Sequence, residues 1–139
     1  MRPTADRLVG VDLNLAGRRL EAVDVQYTLV MRLSGVYVVA ISSPLVLTQG
    51  ANRVDLDPED ADAKSLVLVR QLVGRSLEAA VVDPAGVLDV VFDDGGRLRV
   101  PPDSHYEAWN MSGPNGFLVV SMPGGGLAVW TATPPPTLT

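Results

Sequence analysis

The chain's one histidine, His105, sits between Asp103 and Glu107, each two residues away. On an extended backbone alternate residues share a face about 6–7 Å apart, so this spacing would project an imidazole and two carboxylates together. Histidine titrates near neutral pH and a neighbouring carboxylate tunes it, which suits the trio to proton transfer or to holding a divalent ion. Against this, three same-side residues of one strand splay apart instead of converging on one atom. A polar row on the wetted side of a one-sided sheet explains the same residues without chemistry. Tyr106, Trp109 and Trp130 belong to the same third of the chain, and Trp and Tyr are favoured anchors at interfaces. Asp103, His105, Tyr106, Glu107, Trp109 and Trp130 are therefore expected to form a partner-binding surface, with core packing as the alternative for the aromatic rings. A small-molecule or divalent-metal site built on Asp103, His105 and Glu107 is the second reading.

Other constellations dissolve when their spacing is tested. The acids of residues 55–62 resemble a calcium loop, but a loop starting at Asp55 needs Gly at its sixth position and Glu at its twelfth, where this chain has Asp60 and Leu66. A helix cap with an acidic first turn accounts for them, with an acidic partner-binding patch as the sharper alternative. Pro123-Gly124-Gly125-Gly126 lacks the Lys-Ser/Thr ending and the following helix of a phosphate-binding loop. A strand-like Leu127-Ala128-Val129-Trp130 follows instead, so a tight connection between strands is expected. There is no GxSxG, and any hydrolytic triad would have to be built around His105. The absence of cysteine removes thiolate nucleophiles, redox pairs and thiolate metal sites. No catalytic residue, cofactor or metal ligand is assigned.

Sixteen acidic against eleven basic residues give a net charge of −5, the wrong sign for a phosphate-backbone binder, so nucleic acid is not expected as a partner. Ten of the basic residues are arginine and one is Lys64, a bias that fits GC-rich codons. The longest apolar run, residues 36–41, is far short of the ~20 residues that span a bilayer. No signal-like apolar segment opens the chain, so a cytoplasmic address and no membrane partner are expected.

The elements that would position these residues follow from periodicity. Residues 22–33 alternate apolar and polar and read as one strand; Ser34-Gly35 then turns the chain into a second strand over 36–41. Short strands at 45–48 and 53–56 come next. Asp57 as N-cap, Pro58 at the first position and the acids behind it announce a helix over about 58–73, stopped by Gly74. Beyond it, strands at 76–82, 87–92, 97–100, 106–111, 117–122 and 127–131 are separated by Gly, Pro and Asp turns. The expected class is α+β: a mostly antiparallel sheet of about seven to nine strands, roll-like or partly barrelled, with one main helix. A strand–helix–strand step around residues 53–82 leaves one parallel pair open. Residues 1–132 form one expected domain, and 133–139 a flexible Pro/Thr-rich tail.

The C-terminal third, with Val100-Pro101-Pro102-Asp103, His105-Tyr106-Glu107-Ala108-Trp109, Ser112-Gly113-Pro114-Asn115-Gly116 and residues 120–130, resembles a family of small uncharacterised actinobacterial proteins classed as a domain of unknown function. The resemblance implies no known chemistry. A looser likeness joins the tryptophan-bearing strand, glycine turn and closing strand to immunity proteins that neutralise polymorphic bacterial toxins. Small size, acidity and the lack of a catalytic constellation then favour a non-catalytic protein that binds a toxin-like protein partner. The apolar strands also leave room for a homodimer through sheet edges.

Overall fold

Nearly every segment that alternates apolar with polar residues has become a strand with one buried face, and the strands bury those faces against each other. The computed structural model describes residues 10–131; the expected tail at 133–139 lies outside them. Twelve strands form two antiparallel sheets of six. The first sheet contains β2 (Leu20–Gln26), β3 (Thr28–Leu33), β4 (Tyr37–Ile41), β10 (Trp109–Ser112), β11 (Leu118–Ser121) and β12 (Leu127–Trp130), in the order β12-β11-β10-β4-β3-β2. The second contains β1 (Val11–Asp12), β5 (Leu45–Gln49), β6 (Asn52–Leu56), β7 (Leu77–Val82), β8 (Leu88–Phe92) and β9 (Arg97–Val100), in the order β1-β7-β8-β9-β5-β6.

This corrects the α+β expectation of about seven to nine strands around a main helix at 58–73. Two separate sheets replace the single roll-like or partly barrelled one, no barrel closes, and the helical part is small. Asp57 does accept a cap bond, from the Glu59 N–H at 3.0 Å, but what it caps is a 3-10 turn, Pro58–Asp60. The α-helix α1 (Ala63–Arg70) has its own cap: Asp62 accepts from the Ser65 N–H at 2.8 Å. Hydrogen bonds from Ser65, side chain and backbone, hold the Asp62 carboxyl below its ordinary range. In sequence, two capped turns in succession look like one long helix. Residues 22–33, expected as one strand, fold back at Tyr27, where β2 pairs with β3 down to Gln26 opposite Thr28. No parallel pair arises across residues 53–82, because β6 is an edge strand and β7 lies beside β1 and β8.

One apolar core fills the space between the sheets. Leu29, Met31, Val39, Ile41, Trp109 and Met111 come from the first, and Leu47, Ala80, Val82, Val90, Phe92 and Leu98 from the second. Each of these is 2% exposed or less. At ~25 cal/mol per Å² of apolar surface, this shared layer is the main favourable contribution to folding.

Two turns, one from each sheet, lock together at the rim. The β7–β8 turn contains Gly86 and the β11–β12 turn contains Gly125, both at positive φ (+90° and +105°). A Cβ on Gly86 would stand 2.6 Å from the Gly125 Cα and carbonyl oxygen, and one on Gly125 would stand 2.8 Å from the Ala85 carbonyl oxygen. The glycine run is thus a backbone-to-backbone clasp between the sheets.

Thermal denaturation distinguishes these glycines from their neighbour. Gly86→Ala and Gly125→Ala combine left-handed strain of ~1–2 kcal/mol with a backbone clash, and each should lower Tm by roughly 10 °C or more. Gly124→Ala, at φ +87° with open space around it, should suffer the strain alone, roughly 4–8 °C; equal decreases at all three would refute the clasp. Val36, β-branched at φ +64° and 78% exposed, holds an unfavourable backbone with little burial in return. Val36→Gly should therefore raise Tm by a few degrees, on the order of 1 kcal/mol.

Candidate binding groove

A chain that builds two facing sheets must cross between them, and where it crosses it cannot pair in a ladder. Ser42-Ser43-Pro44 carries the chain from β4 to β5, and residues 101–108 carry it back from β9 to β10. Because β4 pairs with β10 and β5 with β9, the two crossings run side by side. The Ser42 and Ser43 N–H groups donate to the Ala108 carbonyl at 2.9 and 3.3 Å, tying them together. Pro44, Pro101 and Pro102 lack a ladder donor, which suits them to these departures.

The return crossing is shaped by Asp103. Its Oδ1 accepts from the His105 N–H at 2.7 Å and the Tyr106 N–H at 3.0 Å, a side-chain-closed turn. Residues 103–107 are therefore not the strand expected at 106–111, which begins only at Trp109. The alternation that would have set Asp103, His105 and Glu107 in a row is absent. His105 Nδ1 lies 2.8 Å from Ser104 Oγ, and its ring lies 6.4 Å from that of Tyr106. On the other flank the Gly124 N–H donates to the Asp103 carbonyl at 2.8 Å, bringing Pro123 to the rim. Asp57 and Glu59, on and beside the capped 3-10 turn, supply the remaining wall.

These segments enclose an open groove of about 660 Å³. Asp57, Glu59, Asp103 and Glu107 line it, with no lysine or arginine among the described lining residues. Such a surface attracts cations, and Tyr106, 72% exposed, offers a ring face beside the carboxylates. Glu59 also borders a neighbouring hollow of about 420 Å³ lined by Tyr27, which is 78% exposed at φ +62°.

Of the six residues expected as a binding surface, Asp103, His105, Tyr106 and Glu107 come together here. Trp109 does not: it is 1% exposed and belongs to the core. Trp130 lies on the first sheet's edge strand, outside the groove lining. Among the described residues no group of three or more His, Asp or Glu could hold a metal ion, and the Asp103 oxygen is already engaged in its turn. The acidic patch at 57–59 and the groups at 103–107, far apart in the sequence, share one groove. Ser42, Ser43, Pro44 and Pro123, which complete it, carry no local signal, because only the double crossing brings them there. No helix among the described residues is long and apolar enough to cross a membrane.

The model of a family described as a family of unknown function (DUF6188) matches residues 11–131. No curated protein and no solved structure matches the chain.

The Asp103 turn can be tested by substitution. Asp103→Ala leaves two N–H groups without their acceptor and should cost about 1–2 kcal/mol, with faster amide exchange at His105 and Tyr106. Asp103→Asn keeps an acceptor oxygen and should restore most of both; an Asn variant as impaired as the Ala variant would show that the charge, not the turn, is what matters.

Proposed function

The chain belongs to this family of unknown function, DUF6188, and from that premise we propose that it is a non-catalytic protein-binding domain whose crossing groove receives a cationic segment of a partner protein. The observation that carries the reading is the convergence of four carboxylates and an exposed tyrosine, from separate parts of the chain, on one groove with no lysine or arginine among the described residues that line it. Carboxylates at a rim speed the encounter with a basic partner and fix its register, and tyrosine supplies contact area at low entropy cost. The groove is open, with Glu59, His105, Tyr106 and Glu107 all exposed. A macromolecule can cover such a surface, whereas small-molecule sites bury most of their ligand in a mainly apolar pocket. A bacterial toxin domain with a basic contact face is the most concrete partner, the protein then acting as its immunity factor. The net charge of −5 supports that direction of complementarity. An actinobacterial, cytoplasmic setting accords with ten arginines to one lysine and with the absence of a long apolar run.

The test uses the intact protein as bait in extract of its native host, followed by measured affinity for the recovered protein. A stoichiometric basic partner is expected. Glu59→Lys with Glu107→Lys should weaken it roughly 30- to 1,000-fold at low salt, since removing each surface charge pair costs ~0.5–1 kcal/mol and each reversal adds a similar repulsion. Added salt should weaken the wild-type complex. Affinity indifferent to both the double reversal and to salt would remove the groove from the interaction and end this reading.

A further inference from the structure

Two sheets that share one core have two outer faces, and here those faces differ in chemistry. Register places Asp12, Asp89, Arg99 and Asp55 in one outward row of the second sheet and Arg97 and Arg53 in the next. Arg97 pairs with Asp89 at 2.7 Å across that face. The same alternation on the first sheet gives outward Val38 and Ala40 on β4, Asn110 and Ser112 on β10, Leu118 and Val120 on β11, and Ala128 and Trp130 on β12. None of these is charged. The charges on this outer face, Asp24 and Arg32, lie on β2 and β3, at the far side of the sheet.

The four edges differ in the same way. A bare edge strand offers unpaired N–H and C=O groups to any other strand, and natural edges are kept short, charged or covered. The β1 edge has two residues. The β6 edge carries Arg53 and Asp55, paired at 3.6 Å. The β2 edge carries Glu21 and Asp24, and its first residue exchanges hydrogen bonds with the Gly74–Arg75 segment. The β12 edge is also short, but it is uncharged: Leu127-Ala128-Val129-Trp130 holds no charge, no proline and no register shift against β11. Among the described residues its one strand partner is β11.

We infer that β12 is the contact edge of a homodimer, in which a second copy adds its own β12 antiparallel across a two-fold axis. The chain's sequence is self-complementary in that arrangement. With Val129 on the axis, each Trp130 falls beside the partner copy's alanine at the same place as Ala128, a large side chain next to a small one on the outward face. Charge also selects this edge. Two copies that each carry −5 repel, and the sheet region running up to β12 is the one without carboxylates. Val120 and Ala128 are already shielded within the protomer (6% and 3% exposed), so the half-buried Trp130 makes the new contact. Four-residue strands bury little area, well below the ~800 Å² per partner of a standard interface, and the dimer is therefore weak.

Sedimentation equilibrium of the whole protein from ~10 µM to ~1 mM, with amide exchange followed at both extremes, tests the inference against the low-end interface size. A monomer–dimer equilibrium is expected, with exchange on β12 slowing as concentration rises and with salt favouring the dimer. Thr131→Lys, at an exposed position next to the strand, and Trp130→Lys should each weaken dimerisation tenfold or more. Glu59→Lys should leave it unchanged, which separates this outcome from that of the groove. A chain that stays monomeric at ~1 mM, or a dimer indifferent to Thr131→Lys, overturns the inference. So does β12 protection that appears only when a different protein is added, which would assign the edge to that partner.

Discussion

No helix among the described residues is long enough to cover a sheet, so the apolar face of each sheet can be kept from water only by the other sheet. Everything else follows from that constraint. Helix α1 has eight residues, about 12 Å of length at 1.5 Å per residue, while each sheet of six strands spans roughly 24 Å across its ladders. The sheets therefore meet directly, with Trp109 and Phe92 as the largest side chains fully buried between them. Their closure needs places where backbone can approach backbone without a side chain between, and Gly86 against Gly125 provides one.

The same constraint creates the groove. Once strands β4 and β10 are neighbours in one sheet and β5 and β9 in the other, the chain must leave and re-enter at the same place. Backbone there has no ladder partner, so its polar groups are satisfied locally: Ser42 and Ser43 on Ala108, and His105 and Tyr106 on Asp103. Ser43 and Ala108 are buried there, whereas Ser42, Pro44, Ser104, His105, Tyr106 and Glu107 are exposed. Function is commonly placed on loops held by a rigid scaffold, and this crossing is that kind of place.

How much of this can be read from residues alone depends on how local the cause is. Strands β8 and β9 fall within a residue of the expected 87–92 and 97–100, because their bounding turns are closed by nearby carboxylates. Asp83 accepts from Ala85 and Val87, and Asp94 accepts from Gly96. Burial pushes the Asp94 carboxyl upward, but the Gly96 N–H, the Gln49 amide and Arg75 outweigh it and hold it below its ordinary range. The fold at Tyr27, by contrast, leaves no local trace. A tyrosine in the left-handed region carries no turn signature, and the alternation of apolar residues runs straight through it. One of the uncounted strands arises at this point, since one long strand and a hairpin of two have the same periodicity; another is the two-residue β1, too short to show any period. For the groove, the local half at 103–107 is legible and the other half is not, because Asp57 and Glu59 reach it only through the tertiary path of β5 and β6.

Rigidity decides what such a groove is good for. Its walls are fixed by backbone hydrogen bonds: two from the Ser42–Ser43 crossing, one from Gly124 to Asp103 and two onto the Asp103 carboxylate. A partner that docks there need not order the loop, and ordering is a large part of what association must overcome. Only the exposed tips of Glu59, His105, Tyr106 and Glu107 remain to be fixed, at ~0.5–1.5 kcal/mol for each mobile side chain. Tyr106 has few rotatable bonds and is among the least expensive of these, whereas the two glutamates give up more freedom and return it as long-range attraction. For the cationic segment proposed above, the carboxylates would act mainly on how fast and in what orientation it arrives, and the tyrosine on how long it stays. The two contributions are separable in kinetics, since the first is screened by salt and the second is not.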